Sequence, residues 1–539
     1  MGYYEVHCVK CGKKYESSIM AFDFDAILKK SLDISRSRSG IGSGSELDPF
    51  REIKLGLYFP YYKLMNTFGV TDRESRVLLK PRDILEYVEE KYKVTLRNFV
   101  SDEELFEEET DTLEFVRFCD RLEAFTGNAD IDRERKHRSI RRILSYLVRN
   151  QGNDTPLLDC TVQVRLAKND MGEEFASALE VTYFDGSREY IDNMVCLHCG
   201  SPFFPKAGMY QEYVIGMVGS ARVGKTAYLA ALINELNPPV GRPALLGIAI
   251  CAENDRRWRN FTENVLAPYR RGEKIQKTEE IDEMVSLFTV HMLINGRNYL
   301  FTFVDMPGEA FVSPQTASGE QDFRFVVEKR PILKHTDIFW FCIAPVQIDS
   351  ELMGQNELES SDDRVETDMD RVIGNIKPVL RYLRENKQMS AAILLSRSDE
   401  VSPRFELFEP RRGQQLPMAE GTYFRWDRFV NFAKRVRDYF GSDTVKYLET
   451  DFGQMFHKYN YFAVAAYGRS LSRECREGEE SRGNLPSHIL DPFLWSLAVL
   501  NILQPGRHGE IVTKKGLFGL GREVEEGIVP VDYDDLFCG

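Results

Sequence analysis

The stretch "GMVGSARVGKTAYLAAL" (Gly216–Leu232) decides the fold. It follows the apolar run Tyr213-Val214-Ile215 and continues into the helix-forming "AYLAALINEL". A strand, a glycine loop and a helix are written in that order, with Gly219-x4-Gly224-Lys225-Thr226 at the junction. In such a loop the backbone N–H groups of Gly219, Ser220, Ala221, Arg222, Val223 and Gly224 cradle a β-phosphate. Lys225 reaches the β- and γ-oxygens, and the Thr226 hydroxyl ligates magnesium. The reading is a site for a nucleoside triphosphate with Mg2+.

Working outward, "SLFTVHMLINGRNYLFTFVDMPGE" (Ser286–Glu309) reads as two strands joined by Asn295-Gly296, a hairpin turn signal. The second strand runs into Asp305-Met306-Pro307-Gly308-Glu309. "TDIFWFCIAPV" (Thr336–Val346) is a fully apolar strand. A helical stretch then leads to "SAAILLSRSDEV" (Ser390–Val401), whose strand ends in Ser396-Arg397-Ser398-Asp399. "YNYFAVAAYGRS" (Tyr459–Ser470) is a last strand followed by Ala465-Ala466-Tyr467-Gly468. From about 209 to 505, strands and helices alternate as in an α/β domain with a mostly parallel sheet and one antiparallel hairpin.

From Tyr213 to Leu503 this order resembles the TRAFAC-class P-loop GTPases. More narrowly it is similar to the bacterial double-GTPase family, through a Cys-x-x-Cys ribbon ahead of the loop, the helix start Gly224-Lys225-Thr226-Ala227-Tyr228-Leu229 and the closing Asp491-Pro492-Phe493-Leu494-Trp495-Ser496-Leu497. The resemblance implies GTP and GDP as ligands. Asp305 would approach magnesium through water, and the Gly308 N–H would touch the γ-phosphate. Asp399 would accept from guanine N1–H and the 2-amino group, and Ala466 would sit in the last base-binding loop. Two departures stand out: Arg397 replaces the lysine whose stem covers the base, and Ser396 replaces an asparagine or threonine. The first-switch threonine that ligates magnesium is Thr278, with Thr262 as competitor. Glu309 stands where fast GTPases carry a glutamine that orients water. Arg222 lies in the loop where it can offset the repulsion of a carboxylate near the γ-phosphate. The implied function is a Mg-dependent GTP-hydrolysing switch, slow alone and gated by a protein partner on the segment 309–334, in a bacterial conflict- or defence-type system; a nucleotide-dependent oligomer fits the same picture. Two alternatives remain: a P-loop ATPase assembly factor, and a nucleotide-binding scaffold with little hydrolysis.

The first 208 residues carry a different chemistry. Cys8 and Cys11 in "CVKCG", and Cys196 and Cys199 in "CLHCG", form two Cys-x-x-Cys-Gly turns. Four thiolates suit a closed, tetrahedral structural zinc. The other reading is two unrelated pairs or a redox site. On the zinc reading, 1–20 and 190–208 form a split zinc ribbon around a largely helical insertion (21–156) and a β-meander (157–189). The GTPase domain (209–505) and a C-terminal tail (506–539) follow. "SRSRSGIGSGSELD" (Ser35–Asp48) reads as a flexible linker, and the Gly- and charge-rich tail as loosely ordered.

The whole chain has 539 residues and a formal net charge of −14. That balance argues against a nucleic-acid partner, which needs a basic surface. The basic run "RERKHRSIRR" (Arg133–Arg142) reads as a solvated helix face. No apolar run approaches the roughly 18 residues of a membrane span, and no export signal is apparent, so the expectation is a reducing cytoplasm.

Overall fold

The structure is a computed structural model. It describes residues 4–39, 46–100, 112–126, 132–204, 206–237, 248–251, 256–273, 275, 287–306, 331–348, 352, 389–401, 419–420, 423–467, 486–515 and 521–530. The chain divides into two compact units, Met1–Gln211 and Glu212–Gly539.

In the first unit, strands β1 (Glu5–His7) and β2 (Lys14–Glu16) pair antiparallel around the first cysteine turn. Strand β3 (Ala21–Asp23) pairs with β4 (Tyr58–Pro60). Between and beyond them run helices α1 (Phe24–Ser39), α2 (Pro49–Glu52), α3 (Tyr61–Phe68), α4 (Pro81–Tyr92), α5 (Leu113–Thr126) and α6 (Arg133–Arg149). Strands β5 (Ser75–Leu79), β6 (Leu158–Lys168), β7 (Glu174–Tyr183) and β8 (Arg188–Ile191) make an antiparallel sheet in that order. The helical insertion thus supplies the edge strand of the meander, and both share one apolar core that runs from Val6 to Phe203. Helix α1 continues through Ser39, so the Ser/Gly stretch begins as helix rather than linker; 40–45 lie outside the described residues. The basic run on α6 is part solvated and part paired: Arg133, Arg138 and Arg142 are exposed, while Arg135 pairs with Glu52 at 2.7 Å, Lys136 with Glu123 at 2.9 Å, and Arg141 lies over the Phe115 ring.

The second unit is built on a seven-stranded sheet. Its strands are β9 (Gln211–Val218), β10 (Ile248–Cys251), β11 (Leu287–Ile294), β12 (Arg297–Asp305), β13 (Ile338–Ile343), β14 (Ser390–Leu395) and, later in the chain, β17 (Lys458–Ala463). Their order in space is β10-β11-β12-β9-β13-β14-β17. Strands β9, β13, β14 and β17 run parallel to one another, and β13 and β14 are buried at every position, as strands covered on both faces must be. Asn295 (φ 50°) and Gly296 (φ 77°) close the β11–β12 hairpin with the two positive φ angles of a type I′ turn. Beyond that hairpin, β10 adds a second antiparallel pairing at the sheet edge, which the sequence reading did not contain.

Helices α7 (Lys225–Leu236), α8 (Arg256–Phe261) and α9 (Ala267–Arg270) precede the hairpin, with one π-turn (Thr262–Leu266) between the last two. Helices α10 (Trp426–Phe440), α11 (Ser442–Met455) and α12 (Asp491–Val499) belong to the later part. Helix α12 is anchored by Trp340 Nε1 donating to Ser496 Oγ at 3.1 Å, and by Phe493 against Phe301. The tail, expected to be loosely ordered, is instead paired into strands over its described residues. Residues 504–515 (β18) and 521–530 (β19) form an antiparallel hairpin that joins β15 (Ala419–Glu420) and β16 (Tyr423–Arg425) in a second sheet. The β-branched residues of "EIVTKK" (Ile511, Val512, Thr513) and "REVEEGIV" (Val524, Ile528, Val529) favour the extended backbone.

Candidate functional site

The glycine loop joins β9 to α7, between the ends of the parallel strands. Gly219 sits at φ 152°, and a Cβ there would stand 2.5 Å from the Cys342 carbonyl oxygen on β13, so only glycine fits. Lys225 is buried; its ammonium folds over the loop and donates to the Gly219 and Ser220 carbonyls at 3.0 and 2.8 Å. The lysine thus closes the loop on itself, and a glycine loop at a helix start is the kind of backbone that can cradle a phosphate.

Asp305 ends β12, and the Met306 N–H bonds the Met217 carbonyl, which holds that strand end beside the loop. Thr226 Oγ1 donates to Asp305 Oδ2 at 2.5 Å. The other carboxylate oxygen, Oδ1, is buried without a hydrogen-bond partner. Burial pushes the Asp305 carboxyl up, while the Lys225 ammonium and the Thr226 hydroxyl pull it back toward the ionised form. A hydroxyl and a carboxylate with one of its oxygens unpaired are hard-oxygen donors, and they fit a magnesium ion with its waters.

Strand β14 runs into the turn Ser396–Asp399. Ser396 Oγ donates to the Val223 carbonyl at 2.6 Å, so this serine tethers the turn to the glycine loop. Arg397 lies at φ 54° with its stem against Gly224: Cγ would be 3.4 Å from a Cβ there. Its guanidinium pairs with Glu400, with Nε to Oε1 at 2.6 Å, and NH1 reaches the Arg222 carbonyl at 3.4 Å. Asp399 is half-buried; burial raises its carboxyl, and its own backbone N–H and Arg397 lower it. Ser398 N–H bonds the Val464 carbonyl at 3.1 Å, which ties this turn to the loop of Ala465 and Ala466. Tyr269 on α9 donates to the Ala466 carbonyl at 2.6 Å.

The structure therefore gathers Gly219, Ser220, Ala221, Arg222, Val223, Gly224, Lys225, Thr226, Asp305 and Arg397 around one loop, with Asp399 and Ala466 on the adjoining turns. Thr278, Gly308 and Glu309 lie outside the described residues, as does most of the segment 309–334. The competitor Thr262 stands in the π-turn, its hydroxyl buried. Gln347, which the motif reading missed, is buried beneath the loop and donates to Ser220 Oγ at 3.1 Å. Its partner is 127 residues away in the chain, a distance no local pattern spans.

In the first unit, Cys8, Cys11, Cys196 and Cys199 bring their sulfurs within 4.8 Å of one another. Cys8 and Cys199 are 3.5 Å apart, Cys11 and Cys196 3.6 Å. Tetrahedral zinc with metal–sulfur bonds of about 2.3 Å sets its ligands about 3.8 Å apart, so the cluster can hold such an ion. The two turns are built alike. Cys8 N–H bonds Lys13 O, and Gly12 N–H bonds Cys8 O; Cys196 N–H bonds Ser201 O, and Gly200 N–H bonds Cys196 O. Gly12 and Gly200 share φ 63°. Hydrogen bonding from Cys11 and Cys199 holds the Cys196 thiol far below its usual range, while hydrogen bonding with Cys11 pushes Cys8 well above it. Tyr15 adds a hydroxyl 3.2 Å from Cys196 Sγ.

No protein-family model and no curated protein matches this chain. Among solved structures it is similar to the GTPase-like domain of S. cerevisiae Ski7, in a crystal structure bound to GTP, at 12% identity and a TM-score of 0.22. The match covers 57% of this chain and about half (55%) of that one. A likeness at that level carries no argument, and the reading of the site rests on its own geometry. Among the described residues, no helix is long and apolar enough to cross a membrane.

Proposed function

We propose that the chain is a GTP-binding and GTP-hydrolysing switch that depends on magnesium. The observation that carries the reading is the Thr226–Asp305 contact at 2.5 Å, which joins two motif residues 79 positions apart beside a lysine folded over the loop. Magnesium, when bound, would neutralise charge on the β- and γ-phosphate oxygens. Thr226 and Asp305 would hold it, with Thr278 as a further ligand. Lys225 sets a positive charge against the phosphates. Asp399 selects guanine by accepting from two donors of its edge, and the Arg397 stem supports the base.

Turnover is slow in this reading because Glu309 would face the charge that develops on the γ-phosphate, and Arg222 offsets only part of it. A protein partner on the segment 309–334 supplies the rest; an arginine given in trans raises such rates by about 10³–10⁵. A bacterial conflict system as its setting follows from the family resemblance alone. The four cysteines hold a structural zinc that closes the first unit.

Single-turnover hydrolysis by the purified chain tests the reading. The expected result is magnesium-dependent GTP binding, slow hydrolysis, and loss of both in Lys225→Ala. Turnover of several per second by the chain alone would refute gating by a partner, and no binding at all would refute the site.

A further inference from the structure

Gln347 lies in the turn after β13, with 2% of its surface exposed. The Ala344 N–H donates to its Oε1 at 2.8 Å. That contact fixes the orientation of the amide, since only the oxygen can accept from an N–H. The NH2 end is therefore the one aimed at Ser220, at 3.1 Å. An amide NH2 only donates, so the Ser220 oxygen accepts, and its own proton stays free for another acceptor. Ser220 is itself buried and is the second residue of the glycine loop. Its carbonyl takes the Lys225 ammonium at 2.8 Å. On the far side of the loop, Ser396 holds the Val223 carbonyl.

We propose that Gln347 is a positioning residue for the nucleotide: through Ser220 it holds the phosphate loop in the shape that receives a β-phosphate. The inference rests on the nucleotide-site reading but not on the choice of base. Buried polar pairs of this kind are costly to break, because the remaining group loses its partner without regaining water.

Glutamate at 347 would still accept from Ala344 N–H but could not donate to Ser220 as a carboxylate. The test is the release rate of fluorescent mant-GDP and mant-ADP from the full chain, for the wild type, Gln347→Glu, Ser220→Ala and the double variant. Ser220→Ala removes one oxygen and keeps the fold, so it covers the case in which a buried glutamate unfolds the protein. The expected result is release about tenfold faster in each single variant, with little further change in the double variant. The hydrolysis rate of nucleotide already bound should change less than its affinity. Unchanged release in Ser220→Ala, or effects of the two substitutions that simply multiply, would overturn the inference. If the wild type binds neither nucleotide, the proposed function falls, and this inference with it.

Discussion

At the scale of single residues, the site is a set of short polar contacts between distant parts of the chain. Asp305 is buried with one oxygen on Thr226 and the other without a partner. Thr226→Ala should therefore weaken magnesium-dependent nucleotide binding by about 10- to 100-fold, the worth of a hydrogen bond to a charged group. The magnesium dependence of GDP release measures it; release that ignores magnesium in the wild type would contradict the assignment. Tyr15 plays a comparable part at the cysteine cluster, where its hydroxyl reaches Cys196 Sγ. Tyr15→Phe keeps the ring against Phe203 and removes only the donor. It should lower zinc affinity by about tenfold or more, as loss of an outer-shell partner does. Competition with a chelator reads that number, and an unchanged affinity would deny Tyr15 a role. Lys225, Asp305, Asp399 and the four cysteines were legible because each sits in a short motif of fixed spacing. Gln347 and Tyr15 were not, because their partners are 127 and 181 residues away.

At the scale of elements, legibility follows how local the cause is. The β11–β12 turn was readable because Asn-Gly alone satisfies its two positive φ angles. The buried strands β13 and β14 announce themselves as unbroken apolar runs. The final hairpin did not, because glycine and charge in "KKGLFGLGREVEEG" look like loop, and across the register of the two arms only one pair of valines, Val512 and Val524, stands opposite one another. β5 was hidden for a related reason: its partner β6 lies beyond three helices in the chain. The cysteine turns give a prediction at this scale. A Cβ on Gly200 would meet the Tyr58 hydroxyl oxygen at 1.9 Å, at a φ of 63°. Gly200→Ala should cost about 1–3 kcal/mol for the left-handed backbone, before any clash is counted. Denaturant unfolding of the first unit should show it, and an unchanged midpoint would mean that the turn is not held as described.

At the scale of the whole molecule, each of the two units carries its own candidate site. The four cysteines draw together chain ends 185 residues apart, so a metal bound there closes the first unit much as a cross-link would. A ligand at a thousandfold excess over its Kd stabilises by about 4 kcal/mol. Removing zinc with a chelator, or replacing Cys196 and Cys199 by serine, should lower the melting transition of Met1–Gln211 by several degrees. Zinc retained after that double replacement would refute the site. In the second unit the proposed switch selects a guanine nucleotide through the loop of Gly219–Thr226 together with Asp399. The direct measurement is equilibrium binding of GTP, ATP and xanthosine triphosphate, with magnesium, to the full chain and to Asp399→Asn. The wild type should prefer GTP over ATP by at least tenfold. Asp399→Asn should lose GTP by about 2–5 kcal/mol, for two charge-assisted bonds, and gain xanthosine triphosphate. Equal binding of GTP and ATP by the wild type would contradict this selection.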